Sequence, residues 1–247
     1  PRRLPSPPKK ALVIFDTGSS DFVIDKSLPI NNLNEPFDFS YFNLRVYGDI
    51  YSDYVSISYG REDFDGDLAG GKFGLSFSTI QNSGFDVKQD PFIWAAKKQH
   101  LIQPSSFQFT FRHGGKASLN IGLFNPVKHA GLISWVDKNS DKTFWRTSVE
   151  LNGNKIENAI VDSGTNVITG PNDQVKALMG KLEGVSVEQS PGGSYQGCYS
   201  CNNNPQQPSN LSFTVTGQTF KLSNDAITFG YAGDKCNLAM GGTIGLN

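Results

Sequence analysis

The chain has 247 residues, of which 22 are basic and 23 acidic, so its formal net charge is −1. This balance argues against nucleic-acid binding and against attachment to an anionic membrane surface, and no apolar run is long enough to span a bilayer. With 37% hydrophobic residues, 26 glycines and 18 phenylalanines, the composition favours a globular, mostly β protein with many tight turns. Because Pro1 stands first and no apolar signal segment follows it, we interpret the chain as a mature form whose targeting segment has been removed.

The first half of the sequence predicts strands around a polar turn, then a hairpin and a helix. Apolar or alternating runs indicate the strands, and an apolar stripe after Asp90-Pro91 indicates the helix, with Asp90 as its cap. The predicted elements are strands at 11–15, 22–24 and 72–78, a β-hairpin over 42–60 that turns at Gly48-Asp49, and a helix over 90–103.

The second half is also mostly β. Its one helix is predicted to begin at Pro171 and end at Gly184, with one apolar face. The predicted elements are strands at 106–112, 115–124, 131–136 and 145–153, the helix over 171–184, and a hairpin over 210–222 that turns at Gly217-Gln218.

A short motif occurs twice. Asp16 lies in VIFDTGSSDFVI and Asp162 lies in AIVDSGTNVITG, and both read apolar-apolar-Asp-[Thr/Ser]-Gly-[Ser/Thr]. Each copy follows an apolar run that predicts a strand entering a core, and each is echoed later by an apolar-Gly-Leu element, at 73–75 and at 244–246. The chain is therefore interpreted as a duplicated β unit.

Two carboxylates in matched turns indicate acid–base chemistry. If Asp16 and Asp162 meet where the two halves join, their like charges prevent both from ionising cheaply, so the pair holds one proton. The ionised member can then act as general base on a shared water, and the protonated member can donate a hydrogen bond to a substrate carbonyl.

The neighbouring residues suit this role. Glycines let backbone N–H groups reach the carboxylates, and hydroxyls can tie the two turns together or hold the carboxylates coplanar. The predicted supporting residues are Gly18 and Gly164 for the close approach, Thr17 and Ser163 for the link between the turns, and Ser19 and Thr165 for the outer carboxylate oxygens.

Through these two motifs and the segments around them, the chain resembles the pepsin-like aspartic proteases over most of its length. GKFGLSFSTI, DPFIWAAKKQHLIQPSSFQFTF and AGLISWV also resemble segments of that family. The resemblance implies a mostly β, bilobal fold with a cleft between an N-terminal lobe (1–125) and a C-terminal lobe (126–247). It also implies an aspartic endopeptidase with Asp16 and Asp162 as its catalytic pair, without cofactor or metal. It further implies action on polypeptide substrates at acidic pH, inhibition by pepstatin-type compounds, and a monomer that is secreted or lies in an acidic endosomal or vacuolar compartment.

The sequence departs from that family at the cover of the cleft and at its ends. Asp162 follows Asp16 by 146 residues, a short interval, and the hairpin flap resembles a truncated one in which Tyr47 is the candidate flap tyrosine. The tryptophan that partners this tyrosine in the family is replaced by Val23. Both ends look shortened. We therefore expect weak activity or broad specificity, and the alternative is an inactive relative that acts as a peptide-binding or scaffold protein.

Three cysteines and one sequon complete the candidate sites. Cys198 and Cys201 have C-x-x-C spacing, but no second pair or nearby histidine completes a zinc site, so no metal site is predicted. One disulfide from Cys236 to either Cys201 or Cys198 is expected, with one thiol left free. Asn210-Leu-Ser is a candidate glycosylation sequon.

Overall fold

The computed structural model describes residues 12–24, 31–41, 44–52, 71–77, 90–111, 117–128, 131, 133–138, 144–201 and 211–244. Within these ranges the chain forms many short strands in several sheets and only short helices, so the mostly β class predicted from the sequence is confirmed. None of the helices in the described part is long and apolar enough to cross a membrane.

The chain divides into two compact units. The first unit comprises Pro1–Ile133, Asp141–Trp145 and Asp162–Gly164, and the second comprises Ser134–Ser140, Arg146–Val161 and Thr165–Asn247. The turn that carries the second motif aspartate thus groups with the first unit. The simple boundary after residue 125 stays a prediction.

In its described residues the first unit consists of strands and one α-helix. Its elements are β1 (Ile14–Asp16), β2 (Phe22–Ile24), β3 (Asn31–Tyr41), β4 (Leu44–Ser52), β5 (Gly71–Gly74), α1 (Phe92–Lys98), β6 (Phe107–Thr110) and β7 (Ser118–Ile121), with a 3₁₀ turn at Pro126–Lys128. Strands β1, β5 and β2 form a three-stranded sheet with β5 in the centre, while β3–β4 and β6–β7 are antiparallel pairs.

Phe73 is the centre of the core of the first unit. It is 1% exposed, and its ring lies 5.4 Å from that of Phe15 and 4.8 Å from those of Phe22 and Phe92. Burying a side chain of this size contributes about 1.5 to 3 kcal/mol, and tilted or edge-on ring contacts add to it. The core therefore fixes β5 against both strands that flank the first motif.

The hairpin differs from its sequence-based prediction. β3 pairs with β4 along a register in which Tyr41 lies opposite Leu44. Gly48-Asp49 lies inside β4, opposite Phe37 and Pro36, and is not a turn. The prediction at Gly48-Asp49 was wrong because the strand continues through that glycine, and the longer register pairs more backbone groups.

The first helix is shorter than the predicted 90–103. It ends at Lys98 because His100 takes a positive φ of 58°, which no helix continues through. Pro91 is the N-cap residue, and the Asp90 carboxylate accepts a hydrogen bond from Lys98 Nζ at 2.5 Å instead of capping the helix. The predicted strand at 131–136 was also wrong, since the described residues 131 and 133–136 are irregular and mostly exposed.

In its described residues the second unit has two sheets and two helices. Its elements are β8 (Arg146–Leu151), β9 (Asn154–Ile160), β10 (Ile168–Pro171), α2 (Asn172–Met179), β11 (Ser186–Gln189), β12 (Tyr195–Ser200), β13 (Ser212–Val215), β14 (Gln218–Lys221), α3 (Asn224–Ile227), β15 (Thr228–Ala232) and β16 (Lys235–Thr243). One sheet has the order β10-β16-β12-β11 with β15 also on β16, and the other has the order β14-β13-β8-β9.

The core of the second unit forms between α2 and β16. Val175, Leu178 and Met179 of α2 are buried, as the predicted apolar face requires, and Leu238 and Met240 of β16 are each 1% exposed. The helix ends at Gly180 rather than Gly184, one turn earlier than predicted. The hairpin β13–β14 turns at residues 216–217, one residue before the predicted turn.

A disulfide joins Cys201 to Cys236, and Cys198 is a buried free thiol. This resolves the two pairings that the sequence left open. The bridge closes a loop with a sequence separation of 35 residues and ties the end of β12 to β16.

Removing this bridge with Cys201→Ser/Cys236→Ser should lower the free energy of unfolding of the second unit by about 3 to 4 kcal/mol, because the link restricts the unfolded chain. Urea unfolding followed by circular dichroism measures the loss. Cys198→Ala is the control: it removes one buried sulfur atom at a cost of about 1 kcal/mol and leaves the denatured protein without a free thiol. A thiol still titrating in Cys198→Ala, or an unchanged urea midpoint in the double variant, would contradict the pairing.

Candidate active site

Asp16 lies at the end of β1, on the face of the sheet opposite the core. The parallel register pairs Ile14 with Lys72 and Asp16 with Gly74, while Phe15 pairs with Phe73 on the core side. Because side chains alternate along a strand, the Asp16 and Lys72 side chains share the outer face. Phe15 packs against the core, and Asp16 follows it as the last residue of β1, so its side chain points to the other face of the sheet.

The Asp16 carboxylate is buried and well supplied with hydrogen-bond donors. The residue is 2% exposed, and its Oδ1 accepts the Gly18 N–H at 2.8 Å. Its Oδ2 accepts the Ser19 hydroxyl at 2.7 Å and the Lys72 ammonium at 3.1 Å. A buried ionised carboxylate needs such partners to offset its desolvation.

The turn around Asp16 is held by the strand end that passes beside it. Leu75 N–H donates to the Asp16 carbonyl at 2.8 Å, and Ser76 N–H donates to the Ser19 carbonyl at 2.9 Å. The Leu75 carbonyl in turn accepts the Trp145 indole N–H at 3.0 Å. Backbone bonds therefore fix this turn on both sides of its acid.

The two motif turns are linked by reciprocal hydrogen bonds. Thr17 N–H donates to Ser163 Oγ at 3.1 Å, and Ser163 N–H donates to Thr17 Oγ1 at 2.8 Å. Ser163 Oγ also donates to the Phe15 carbonyl at 2.7 Å. Each hydroxyl residue thus satisfies a backbone group of the other turn, and the structure brings together the residues expected to link them.

The glycines allow the two carboxylates to approach each other. A Cβ on Gly18 would lie 2.6 Å from Asp162 Cγ, and a Cβ on Gly164 would overlap the Asp16 carboxylate. Each glycine therefore lies against the acid of the other turn. Asp162 hydrogen-bonds to Asp16, and its Oδ1 accepts the Gly164 N–H at 2.8 Å.

The surroundings of Asp16 lower its pKa below the ordinary value. Burial alone raises the pKa, but hydrogen bonds from Ser19 and Asp162, the positive charge of Lys72 and the Gly18 N–H together outweigh burial. These contacts favour the ionised form of the Asp16 carboxylate.

The residues on either side of Asp162 are more exposed than those around Asp16. Thr165, expected to bond its outer oxygen, is exposed and makes no side-chain hydrogen bond in the part of the chain that the structure describes. Ile160 and Val161 are 44% and 57% exposed, so the run before Asp162 does not enter a core as its sequence suggested.

Two other predicted features are less informative. Tyr47 lies on β4 opposite Asp38 and is 75% exposed. The second apolar-Gly-Leu element falls on Gly245 and Leu246, outside the described residues, as does Asn210. In the described ranges no group of three or more His, Cys, Asp or Glu residues is placed to hold a metal ion.

Sequence reasoning missed Lys72. In KFGL, Lys72 stands two residues before Gly74, which pairs with Asp16. Because alternate residues of a strand share a face, this spacing puts Lys72 on the same face as Asp16.

The sequence model of the eukaryotic aspartyl protease family matches residues 24–244. The chain belongs to this family. Secreted aspartyl protease 1 of Malassezia globosa is 31% identical over 94% of this chain, which spans 62% of that protein. Cathepsin D of Gallus gallus is 24% identical over 98% of this chain and is covered over 70% of its own length. A "Probable inactive secreted aspartyl protease" of Malassezia globosa is 31% identical over 61% of this chain and is covered over 38%.

Gly18→Ala and Gly164→Ala should each lower the free energy of unfolding by about 1 to 3 kcal/mol, because the added methyl group meets a carboxylate that the linked turns hold in place. Gly180→Ala is the matched control, since Gly180 has a helical φ of −65° and its Cβ would lie 3.4 Å from the nearest atom, the Lys176 carbonyl oxygen. Chemical denaturation compares the three. If Gly164→Ala were as stable as Gly180→Ala, the close packing of the two turns would be wrong.

Proposed function

We propose that the chain is an aspartic endopeptidase that hydrolyses peptide bonds with a water molecule activated by Asp16 and Asp162. The observation that supports this most directly is the pair of carboxylates itself. They come from two copies of one motif, hydrogen-bond to each other, and stand on turns linked by Thr17 and Ser163. Two acids in hydrogen-bond contact share one proton, and the reaction needs that singly protonated state.

The reaction follows from the shared proton. The ionised carboxylate takes a proton from the water as its oxygen attacks the peptide carbonyl carbon, while the protonated carboxylic acid gives its proton to the carbonyl oxygen. A tetrahedral diol results. The C–N bond then breaks as the newly protonated acid transfers its proton to the amine nitrogen and the other carboxylate takes a proton back from the diol. One carboxylic acid and one amine leave, and the pair again holds one proton.

The same pair predicts a bell-shaped dependence of activity on pH. Activity is lost at low pH when both acids are protonated and at higher pH when both are ionised. Because the surroundings of Asp16 lower its pKa, one ionised member persists into the acid range. The working range of the proposed protease is therefore acidic.

The substrate class, inhibitor and compartment belong to the same proposal. Polypeptides are the substrate and pepstatin-type compounds the inhibitor, as for pepsin-like proteases in general. Both acids come from one chain, so a monomer suffices. The relative named as a secreted protease and the disulfide both favour a secreted or an acidic endosomal or vacuolar location, since disulfides persist in oxidising compartments.

A specific observation favours a second candidate function, an inactive peptide-binding relative. Thr165 is exposed and makes no side-chain hydrogen bond in the part of the chain that the structure describes, and one relative is named as inactive. A chain of this kind would keep the paired turns and bind extended peptides without cleaving them.

Asp16→Asn and Asp162→Asn should each reduce peptide hydrolysis by at least about a hundredfold, because each removes one proton-transfer group. The measurement is cleavage of denatured haemoglobin or casein between pH 3 and 7, with and without pepstatin. Asp137→Asn, which changes an exposed aspartate elsewhere, is the control and should leave the rate unchanged.

The two candidate functions separate on pepstatin binding. Cleavage that pepstatin blocks supports the protease. Pepstatin binding by calorimetry without cleavage supports the inactive relative, and the absence of both contradicts each of them.

Tyr47→Ala should change kcat/KM by less than about twofold across a panel of peptides, because an exposed side chain on a hairpin makes few contacts to lose. Its KM and kcat on three unrelated peptides measure the effect, with Tyr47→Phe as the conservative partner. A tenfold or larger fall, rescued by phenylalanine, would instead make Tyr47 a working flap residue and contradict the broad specificity expected here.

A further inference from the structure

Lys72 is a third charged group at the carboxylate pair, and the proposed reaction gives it no role. Its Nζ lies 3.1 Å from Asp16 Oδ2, while the Lys72 side chain is 42% exposed and the Asp16 side chain 3%. The ion pair therefore joins a half-exposed cation to a nearly inaccessible acid.

The strand register explains why the ammonium reaches this carboxylate. Lys72 lies directly opposite Ile14 and two residues before Gly74, which pairs with Asp16. Phe73 lies between Lys72 and Gly74 in β5, and its ring contacts fix it in the core. With Phe73 held on one face, Lys72 must project from the other, on the same side as Asp16.

The charged groups that face Asp16 are few. In the described residues, the second motif turn contributes Asp162 and β5 contributes Lys72. Strand β2 contributes none. Lys72 is thus the positive charge that acts on the pair from these elements.

We propose that Lys72 is a positioning residue that keeps Asp16 ionised and so places the shared proton of the pair on Asp162. The inference rests on the proposed function, which it deepens by giving the two acids different roles. Asp16 becomes the base that takes the proton from water, and Asp162 becomes the acid that donates to the substrate carbonyl.

The hydrogen bonds around the pair point the same way. The Asp16 carboxylate receives Gly18 N–H, the Ser19 hydroxyl and the Lys72 ammonium, all donors that favour the ionised form. Thr165, at the position in the second motif that corresponds to Ser19, makes no such bond among the described contacts. The duplicated motif supplies the same residues twice, and Lys72 is the feature that adds charge to one side.

The same ion pair affects the charge of the site. One shared proton leaves the two acids with a net charge of −1, and the Lys72 ammonium neutralises it. Neutralisation by a half-exposed group is weaker than by a buried one, because water screens it. We therefore expect a moderate effect on proton affinity and a small effect on substrate binding.

The test is the pH profile of kcat/KM for Lys72→Met, which keeps the length of the side chain and removes its charge. On the acid side of the profile its kcat/KM should be about threefold below wild type at equal pH, since loss of the cation lets Asp16 take up a proton sooner. On the plateau the two proteins should match. Lys72→Arg should restore the wild-type profile.

Lys98→Met is the matched control, because it removes a lysine from another ion pair of the same unit, Lys98 with Asp90. Its profile should superimpose on wild type. A Lys72→Met profile that also superimposes on wild type would overturn the inference, and so would a uniform fall at every pH, which indicates a merely structural role.

A second measurement does not depend on activity. The ¹³Cγ signal of Asp16, assigned with Asp16→Asn, should titrate at higher pH in Lys72→Met than in wild type. An inactive wild type in which this shift occurs overturns the proposed protease and keeps the role of Lys72. An active wild type without this shift keeps the proposed protease and overturns the role of Lys72.

Discussion

The reciprocal bonding of Thr17 and Ser163 is the constraint on which the candidate site depends. Two carboxylates repel each other when both are ionised, so their charges alone would not bring them together. The backbone N–H and hydroxyl bonds between the turns do so, and Gly18 and Gly164 leave no side chain to separate the acids. The neutral hydrogen bonds between Thr17 and Ser163 therefore hold the two carboxylates close enough to share a proton.

The two copies of the motif are alike in sequence but not in surroundings. The Asp16 turn is bonded to Leu75 and Ser76 as the chain leaves β5, and its acid is almost fully buried. The Asp162 turn follows two exposed apolar residues, Ile160 and Val161. A symmetric motif therefore produces an asymmetric site, and asymmetry is what an acid and a base in one reaction require.

The sequence predicted the parts of the site that are local. The apolar run, the acid and the glycine identify each turn, and their repetition pairs Asp16 with Asp162. It failed where a choice depends on distant residues: the reversal of the β3–β4 hairpin is set by its whole register, not by Gly48-Asp49. The sequence could not decide whether Cys198 or Cys201 pairs with Cys236 for the same reason. The choice depends on which of them lies beside Cys236 where β12 ends, and that residue is Cys201. Lys72 was missed because its meaning comes from a strand that lies far from it in sequence.

The groups that set the chemistry also set the acid tolerance of the fold. Because the pKa of Asp16 is lower in the folded chain than in the unfolded one, ionised Asp16 contributes stability above its ordinary pKa, and this is lost only as pH falls through the folded value. Ser19, Lys72 and Gly18 therefore stabilise the fold and the base together. Protonating Asp16 removes this contribution to folding stability and the catalytic base at the same time. The acid limit of activity and this part of the acid sensitivity of the first unit then have one physical origin, the charge on a single buried carboxylate.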